Sequence, residues 1–189
     1  MILKAKERGD GKQLGLYLLR DTNEHVEVYE LRGFVSDDLP SALQEIDAIG
    51  RGTRAENFFF SMSLNPPPNE KVPVQVYEAA IETIEQRLGL DGQPRAIVFH
   101  EKDGRRHAHA VWSRIDTERM KAINLSNYKR KLCAVSRELY LENGWKMPRG
   151  FVNSKERDPA SFTHAEWEQA KRTGHDPKAL KQMFRELWA

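Results

Sequence analysis

Residues 95–116 read RAIVFHEKDGRRHAHAVWSRID. Ala96 to His100 is an apolar run rich in β-branched and aromatic residues and predicts a strand. Asp103-Gly104 is a hairpin signal, and His107 to Ile115 is the returning strand. Successive strand side chains point to opposite faces. His107 and His109 therefore share one face, and Ala108 and Ala110 the other. The turn brings His100, at the end of the first strand, beside them. Three imidazoles then converge on one point, and three nitrogen ligands leave positions open on a divalent ion, as a catalytic centre requires. A single strand histidine is ordinarily a half-buried polar residue. Three of the chain's six histidines within ten residues across one hairpin are not accounted for in that way.

On the N-terminal side, residues 11–20 (GKQLGLYLLR) predict a short helix weakened by Gly15, and residues 25–34 (HVEVYELRGF) a strand. Asp37 or Asp38 caps a helix with apolar positions Leu39, Leu43, Ile46 and Ile49. Residues 56–64 (ENFFFSMSL) read as a strand buried on both faces and closed by NPPP. Tyr77, Ile81, Ile84 and Leu88 mark a helix from Val74 to Leu88, ended by Gly89. On the C-terminal side, Lys121 to Leu125 reads as extended. Asn127 to Glu142 reads as a helix with Tyr128, Leu132, Val135 and Leu139 on one face, stopped at Gly144. Beyond Pro148 the chain turns polar, with short helices expected at 164–173 and 178–188. Antiparallel strands alternating with helices predict an α+β fold, a two-layer sandwich with the histidine hairpin central in an antiparallel sheet and helices flanking it. The domain reading is 1–150 as the catalytic unit and 151–189 as a helical extension that begins a longer C-terminal region.

The chain has 189 residues, 39% hydrophobic and 31% charged, enough for one core under a charged surface. A net charge of +2 does not by itself announce a nucleic-acid binder. Between Leu125 and Arg157, however, eight basic residues stand against three acidic ones, a net of +5. This stretch, with Lys129, Arg130 and Lys131 at its start, reads either as a phosphate-facing surface or as a solvated helix face. The single cysteine, Cys133, excludes an internal disulfide or a cysteine zinc site, and its position in a helical stripe predicts a packed thiol. No apolar run reaches the length of a membrane span, and the start lacks the apolar segment of a secretory signal. These features predict a cytoplasmic protein with no membrane insertion.

A metal on three neutral ligands keeps most of its charge and suits a phosphodiester oxygen. The nucleophile is then a bound water or a side chain. Tyr17, in LGLYLLRD, is one such side chain. It also reads as a core aromatic, because Leu14, Leu16, Leu18 and Leu19 surround it. Tyr29 is its rival, on a strand with Glu27 and Glu30 nearby, a poor setting for a phosphate.

HEKDGRRHAHAVWSRID resembles the three-histidine motif of the mobilisation relaxases (MobA/MobL type), DNA nickases of the His-hydrophobic-His superfamily. That family orders an N-terminal tyrosine, a middle strand motif and the histidine motif along the chain. Here Tyr17 precedes His100 by 83 residues, and NFFFSMSLNPP, with Asn57 and Ser61, is similar to the middle motif. The resemblance covers about residues 10–150. It implies the same α+β fold and a bacterial enzyme that cuts one DNA strand at a transfer origin and starts conjugative mobilisation. Tyr17 would attack the scissile phosphate, stay linked to the 5′ phosphate and release a 3′ hydroxyl. His100, His107 and His109 would hold Mg²⁺ or Mn²⁺. The implied partners are single-stranded DNA at the transfer origin, accessory mobilisation proteins and a coupling protein. Glu101 and Asp103 stand near positions where relatives carry an acidic residue, and either would deprotonate Tyr17, orient a ligand or be a solvated turn charge. Asn57 is a further supporting candidate, and Arg105, Arg106 and Arg114 are candidate phosphate contacts. Two other readings of the same residues stay open: a metal-dependent phosphodiester hydrolase using bound water, and a non-catalytic single-strand-binding module.

Overall fold

The computed structural model describes residues 1–20, 24–102, 104–152, 169–170 and 172–187. The chain divides into two compact units, Met1–Trp145 and Lys146–Ala189. In the first unit the elements are β1 (Ile2–Arg8), α1 (Gly11–Leu18), β2 (His25–Arg32), α2 (Leu39–Arg51), β3 (Phe59–Asn65), α3 (Val74–Leu88), β4 (Arg95–Lys102), β5 (Arg105–Ser113), β6 (Ile115–Asp116), β7 (Lys121–Ala122) and α4 (Tyr128–Glu142). In the second unit the described helices include α5 (Arg149–Val152) and α6 (Pro177–Leu187). The helix expected at 164–173 falls mostly outside the described residues.

The five long strands form one antiparallel sheet in the order β1-β3-β5-β4-β2. The histidine strand β5 is therefore central, as expected. β3, β4 and β5 are buried along most of their length, as strands are when both faces of a sheet are covered. One face (Phe60, Met62, Ile97, Phe99, Ala108, Ala110 and Trp112) packs against α3 and α4. The other (Phe59, Ala96, Val98 and Val111) packs against Leu14 and Leu18 of α1 and Leu39, Leu43 and Ile46 of α2. The α+β class with flanking helices thus holds, and the sandwich has one more layer than the two expected.

α1 is fixed at its start by several contacts. Asp10 caps it, its carboxylate accepting the Gln13 N–H at 2.9 Å. The Gly11 N–H donates to Asp47 of α2 at 3.2 Å. A Cβ on Gly11 would lie 2.7 Å from the Asp47 carboxylate, 2.8 Å from the Phe59 ring and 3.0 Å from the Leu43 carbonyl, so the helices meet only because position 11 has no side chain. α3 ends at Gly89, whose φ of 68° is the left-handed conformation that glycine adopts without strain.

β1 was not expected from the sequence. Only Leu3 and Ala5 of its inward face contribute to the core, and Lys4, Lys6 and Arg8 alternate with them. Cys133 also departs from expectation. It is exposed, because the buried stripe of α4 runs through Leu132, Val135, Ser136 and Leu139, and position 133 lies one residue off it.

Candidate active site

The hairpin register pairs His100 with His107, and His109 stands on the same face of β5 one place inward. The three rings are in mutual contact, with centroids 5.3 Å apart for His100–His107, 4.6 Å for His100–His109 and 5.2 Å for His107–His109. One nitrogen from each lies within 4.8 Å of the others. Burial pushes all three below the usual histidine range, His109 to about 3, and the neighbouring imidazoles and Arg8 add to the shift at His109. The rings are therefore neutral at pH 7, the form that binds a metal. His100 Nε2 lies 2.7 Å from the Leu18 carbonyl. That contact assigns the proton to Nε2 and leaves the Nδ1 lone pair for a ligand, the outer hydrogen bond that orients metal-binding imidazoles. The donor set and its protonation fit a divalent cation with open positions.

Tyr17 projects from α1 onto this cluster. Its ring meets His109 edge-on at 5.7 Å between centroids and is 40% exposed, so it is not the core aromatic that its leucine neighbours suggest. The buried positions of α1 are Gly11, Leu14, Gly15 and Leu18, and Tyr17 falls between them. Two guanidinium carbons flank the phenol, Arg8 at 5.9 Å and Arg20 at 5.5 Å from the ring centre. The Arg8 Nε is buried with no hydrogen-bond partner. Tyr29 is on the other side of the sheet. A bulge between Val28 and Glu30 turns it toward Phe99, and its hydroxyl donates to Glu78 of α3 at 2.7 Å.

The remaining candidates separate. Arg105 shares the face of His107 by strand alternation, and it donates to the Pro66 carbonyl at 3.2 Å. Arg106 and Glu101 form a cross-strand pair on the opposite face. There Arg106 lies 4.2 Å over the Phe99 ring and pairs with Glu27 at 2.6 Å. Asp103 lies outside the described residues. Asn57 precedes β3. Ser63 is the β3 residue paired with His109, so Asn57 stands more than ~13 Å along the strand from the histidines. Ser61 lies two places from Ser63 on the same face. Arg114, expected as a phosphate contact, is 8% exposed and consumed by the fold. It pairs with Glu7 and donates to the carbonyls of Asn57 and Ile123, each at 2.9 Å. Lys129 and Arg130 are exposed on α4, and Lys131 donates to the Arg87 carbonyl at 2.8 Å. α4 covers the sheet face opposite the histidines, so Lys129, Arg130 and Lys131 do not border the site.

The basic residues that do border it had been missed. Lys4 pairs with Ser63, and Ser63 with His109; Lys6 pairs with Ser61. Lys4, Lys6 and Arg8 therefore share the histidine face of the edge strand, and both lysines are exposed. Their every-second-residue spacing was the available signal. Arg20, three residues after Tyr17, was legible only once α1 was known to carry Tyr17 toward the cluster.

Residues 17–145 match the family described as Relaxase: MobA/VirD2-like, nuclease domain. No curated protein sequence matches the chain. Among the described residues no helix is long and apolar enough to cross a membrane.

Proposed function

This chain belongs to the MobA/VirD2-like relaxase nuclease family, and from that premise we propose that it nicks and rejoins one DNA strand at a transfer origin through a tyrosyl 5′-phosphate. The observation that carries the reading is the meeting of Tyr17 with three neutral, converging histidines. In the proposed step the Tyr17 Oη attacks the phosphorus and the bond from phosphorus to the 3′ oxygen breaks. The phenolic proton passes to solvent, and the leaving 3′ oxygen takes one up. The phosphodiester count is conserved, so the reverse attack by a 3′ hydroxyl reseals the strand. Arg8 and Arg20, beside the ring, suit the phosphate that must lie there. His100, His107 and His109 would hold Mg²⁺ or Mn²⁺, which supplies charge stabilisation to the phosphate oxygens when bound. Glu101 is on the wrong face to take the phenolic proton.

The substrate strand is single and runs over the sheet face at β1 and β3, between the Lys4–Lys6–Arg8 row and α1. Ser61, Ser63 and Asn65 floor this path, and exposed cations on one side track a phosphate backbone. Accessory mobilisation proteins and a coupling protein belong to the same proposal.

The test is incubation with Mn²⁺ and a labelled single-stranded oligonucleotide carrying the element's transfer origin, resolved on a denaturing gel. A label shifted to protein mass, lost in Tyr17→Phe and with EDTA, is expected. Cleavage without a protein-linked product, persisting in Tyr17→Phe and Tyr29→Phe, would replace the tyrosine with metal-activated water. Strand binding with no cleavage by any metal would leave a binding module.

A further inference from the structure

Beyond the histidines, the sheet end carries a depression that the proposed reaction does not use. A cavity of about 540 Å³ lies between the 66–72 loop and the histidine hairpin. A smaller one of about 190 Å³ reaches from it to His107 and Asn65. Both are lined by Pro66, Arg105 and Arg106, so they adjoin. The larger volume is within the roughly 300–1,000 Å³ of small-ligand sites.

Its walls are chemically distinct. Pro66, Pro67 and Pro68 form a stiff apolar side whose backbone torsions are preset. Arg105 ties the hairpin to that loop through the Pro66 carbonyl with one of its five donors. Arg106 is braced by Glu27 and Phe99, so its charge stays in place. The Glu101 carboxylate lines the same cavity, half-buried, and among the described residues it has neither a hydrogen-bond nor an ion-pair partner. A carboxylate facing such a cavity is free to accept from an amine of a ligand.

A flat ring against prolines, an anion beside Arg105 and amine hydrogens on a carboxylate describe one ligand, a nucleotide of single-stranded DNA with its base unstacked. We propose that this cavity holds a base of the bound strand next to the cut, read by Glu101 through an exocyclic amine. It therefore favours adenine or cytosine over thymine at that position. Carboxylate acceptance from cytosine N4 is an established base contact, and unstacked bases of single strands offer their pairing edges in the same way. The inference rests on the reading of the chain as a relaxase and gives it a determinant of nick-site sequence.

The experiment is fluorescence anisotropy of labelled dC12, dA12 and dT12 with the whole chain in EDTA, so that no cutting occurs. The wild type is expected to bind dC12 and dA12 about tenfold more tightly than dT12. In Glu101→Leu and Glu101→Ala that ratio is expected to fall to about one. Leu keeps most of the volume without an acceptor, Ala removes the group, and thermal melts identify any variant that fails to fold. No preference in the wild type, or a preference surviving in both folded variants, overturns the proposal. The adduct assay is scored separately. An adduct with no Glu101-dependent preference sinks the cavity and leaves the relaxase reading. A Glu101-dependent preference with no adduct sinks the tyrosine mechanism and leaves the base site.

Discussion

The Nε2 of His100 lies 2.7 Å from the carbonyl oxygen of Leu18, the residue that follows Tyr17. One hydrogen bond thus couples the helix carrying the proposed nucleophile to a proposed metal ligand. It also satisfies a carbonyl in the last turn of α1, where the helix has no further N–H to offer. Replacing His100 by Ala removes this tie, worth about 1 kcal/mol. The α1 amides should then exchange faster with solvent by several-fold, while His107→Ala leaves them unchanged. Hydrogen exchange read at α1 decides it. Equal protection in both variants would mean that α1 is held by the Leu14 and Leu18 packing alone.

The histidine cluster also sets an acid limit on stability. The unfolded chain binds a proton at each histidine near pH 6.5, whereas folded His109 does so at about 3. As pH falls through that interval the unfolded state takes up a proton that the native state refuses, and stability drops. Above about pH 7 this source contributes no slope. His100 and His107 are shifted in the same direction. Metal-free protein should lose about 2–3 kcal/mol between pH 7 and 4.5 from His109 alone. Urea midpoints at the two values measure it, with His109→Asn giving a flatter line. Saturating Mn²⁺ should steepen the wild-type dependence, because the cation binds only neutral rings. A wild-type line as flat as that of His109→Asn would place the acid lability elsewhere.

Lys4 and Lys6 should act on DNA, and Arg114 on the fold. Lys4→Glu and Lys6→Glu remove exposed cations from the row beside Ser63 and His109. Each is expected to weaken single-strand binding and reduce the slope of log affinity against log salt by about 0.7. Arg114→Ala breaks the Glu7 pair and two backbone contacts inside the structure, at a cost of about 3 kcal/mol. Its salt slope should match the wild type at temperatures where it stays folded. If Lys129→Glu lowered the slope and Lys4→Glu did not, the strand would run over α4 instead.

The contrast between these residues shows what was legible in the chain. The histidine hairpin could be read because period-two alternation fixes side-chain faces without tertiary knowledge. α3 was legible to its last residue because an apolar stripe and a left-handed glycine both mark it. β1 was not, because an edge strand with cations on one face and two core residues on the other has little hydrophobic signal. The basic stretch from Lys129 was visible as charge, but which face of the sheet α4 covers is a tertiary fact. Arg114 read as a surface cation because nothing local reveals Glu7, 107 residues earlier, as its partner. The approach of Tyr17 to His109 came only from the family resemblance, since spacing alone carries no distance across 92 residues.

Gly11 tests whether the seat of α1 positions the tyrosine. On propensity alone, Gly→Ala in the first turn of a helix is neutral or stabilising. Here the new methyl would meet the Asp47 carboxylate, the Phe59 ring and the Leu43 carbonyl, at 2.7, 2.8 and 3.0 Å. Phe59 is fully buried and cannot swing away, so α1 must lift from α2. Tyr17 lies less than two turns further along and must move with it. A displacement near 1 Å at a reacting group costs on the order of 10²-fold in rate. Gly11→Ala is therefore expected to slow adduct formation about a hundredfold, with Mn²⁺ affinity changed far less, because His107 and His109 are held by the sheet. Single-turnover rates at saturating Mn²⁺ separate the two effects. Wild-type rates in this variant would show that α1 adapts and that its close packing on α2 serves stability only.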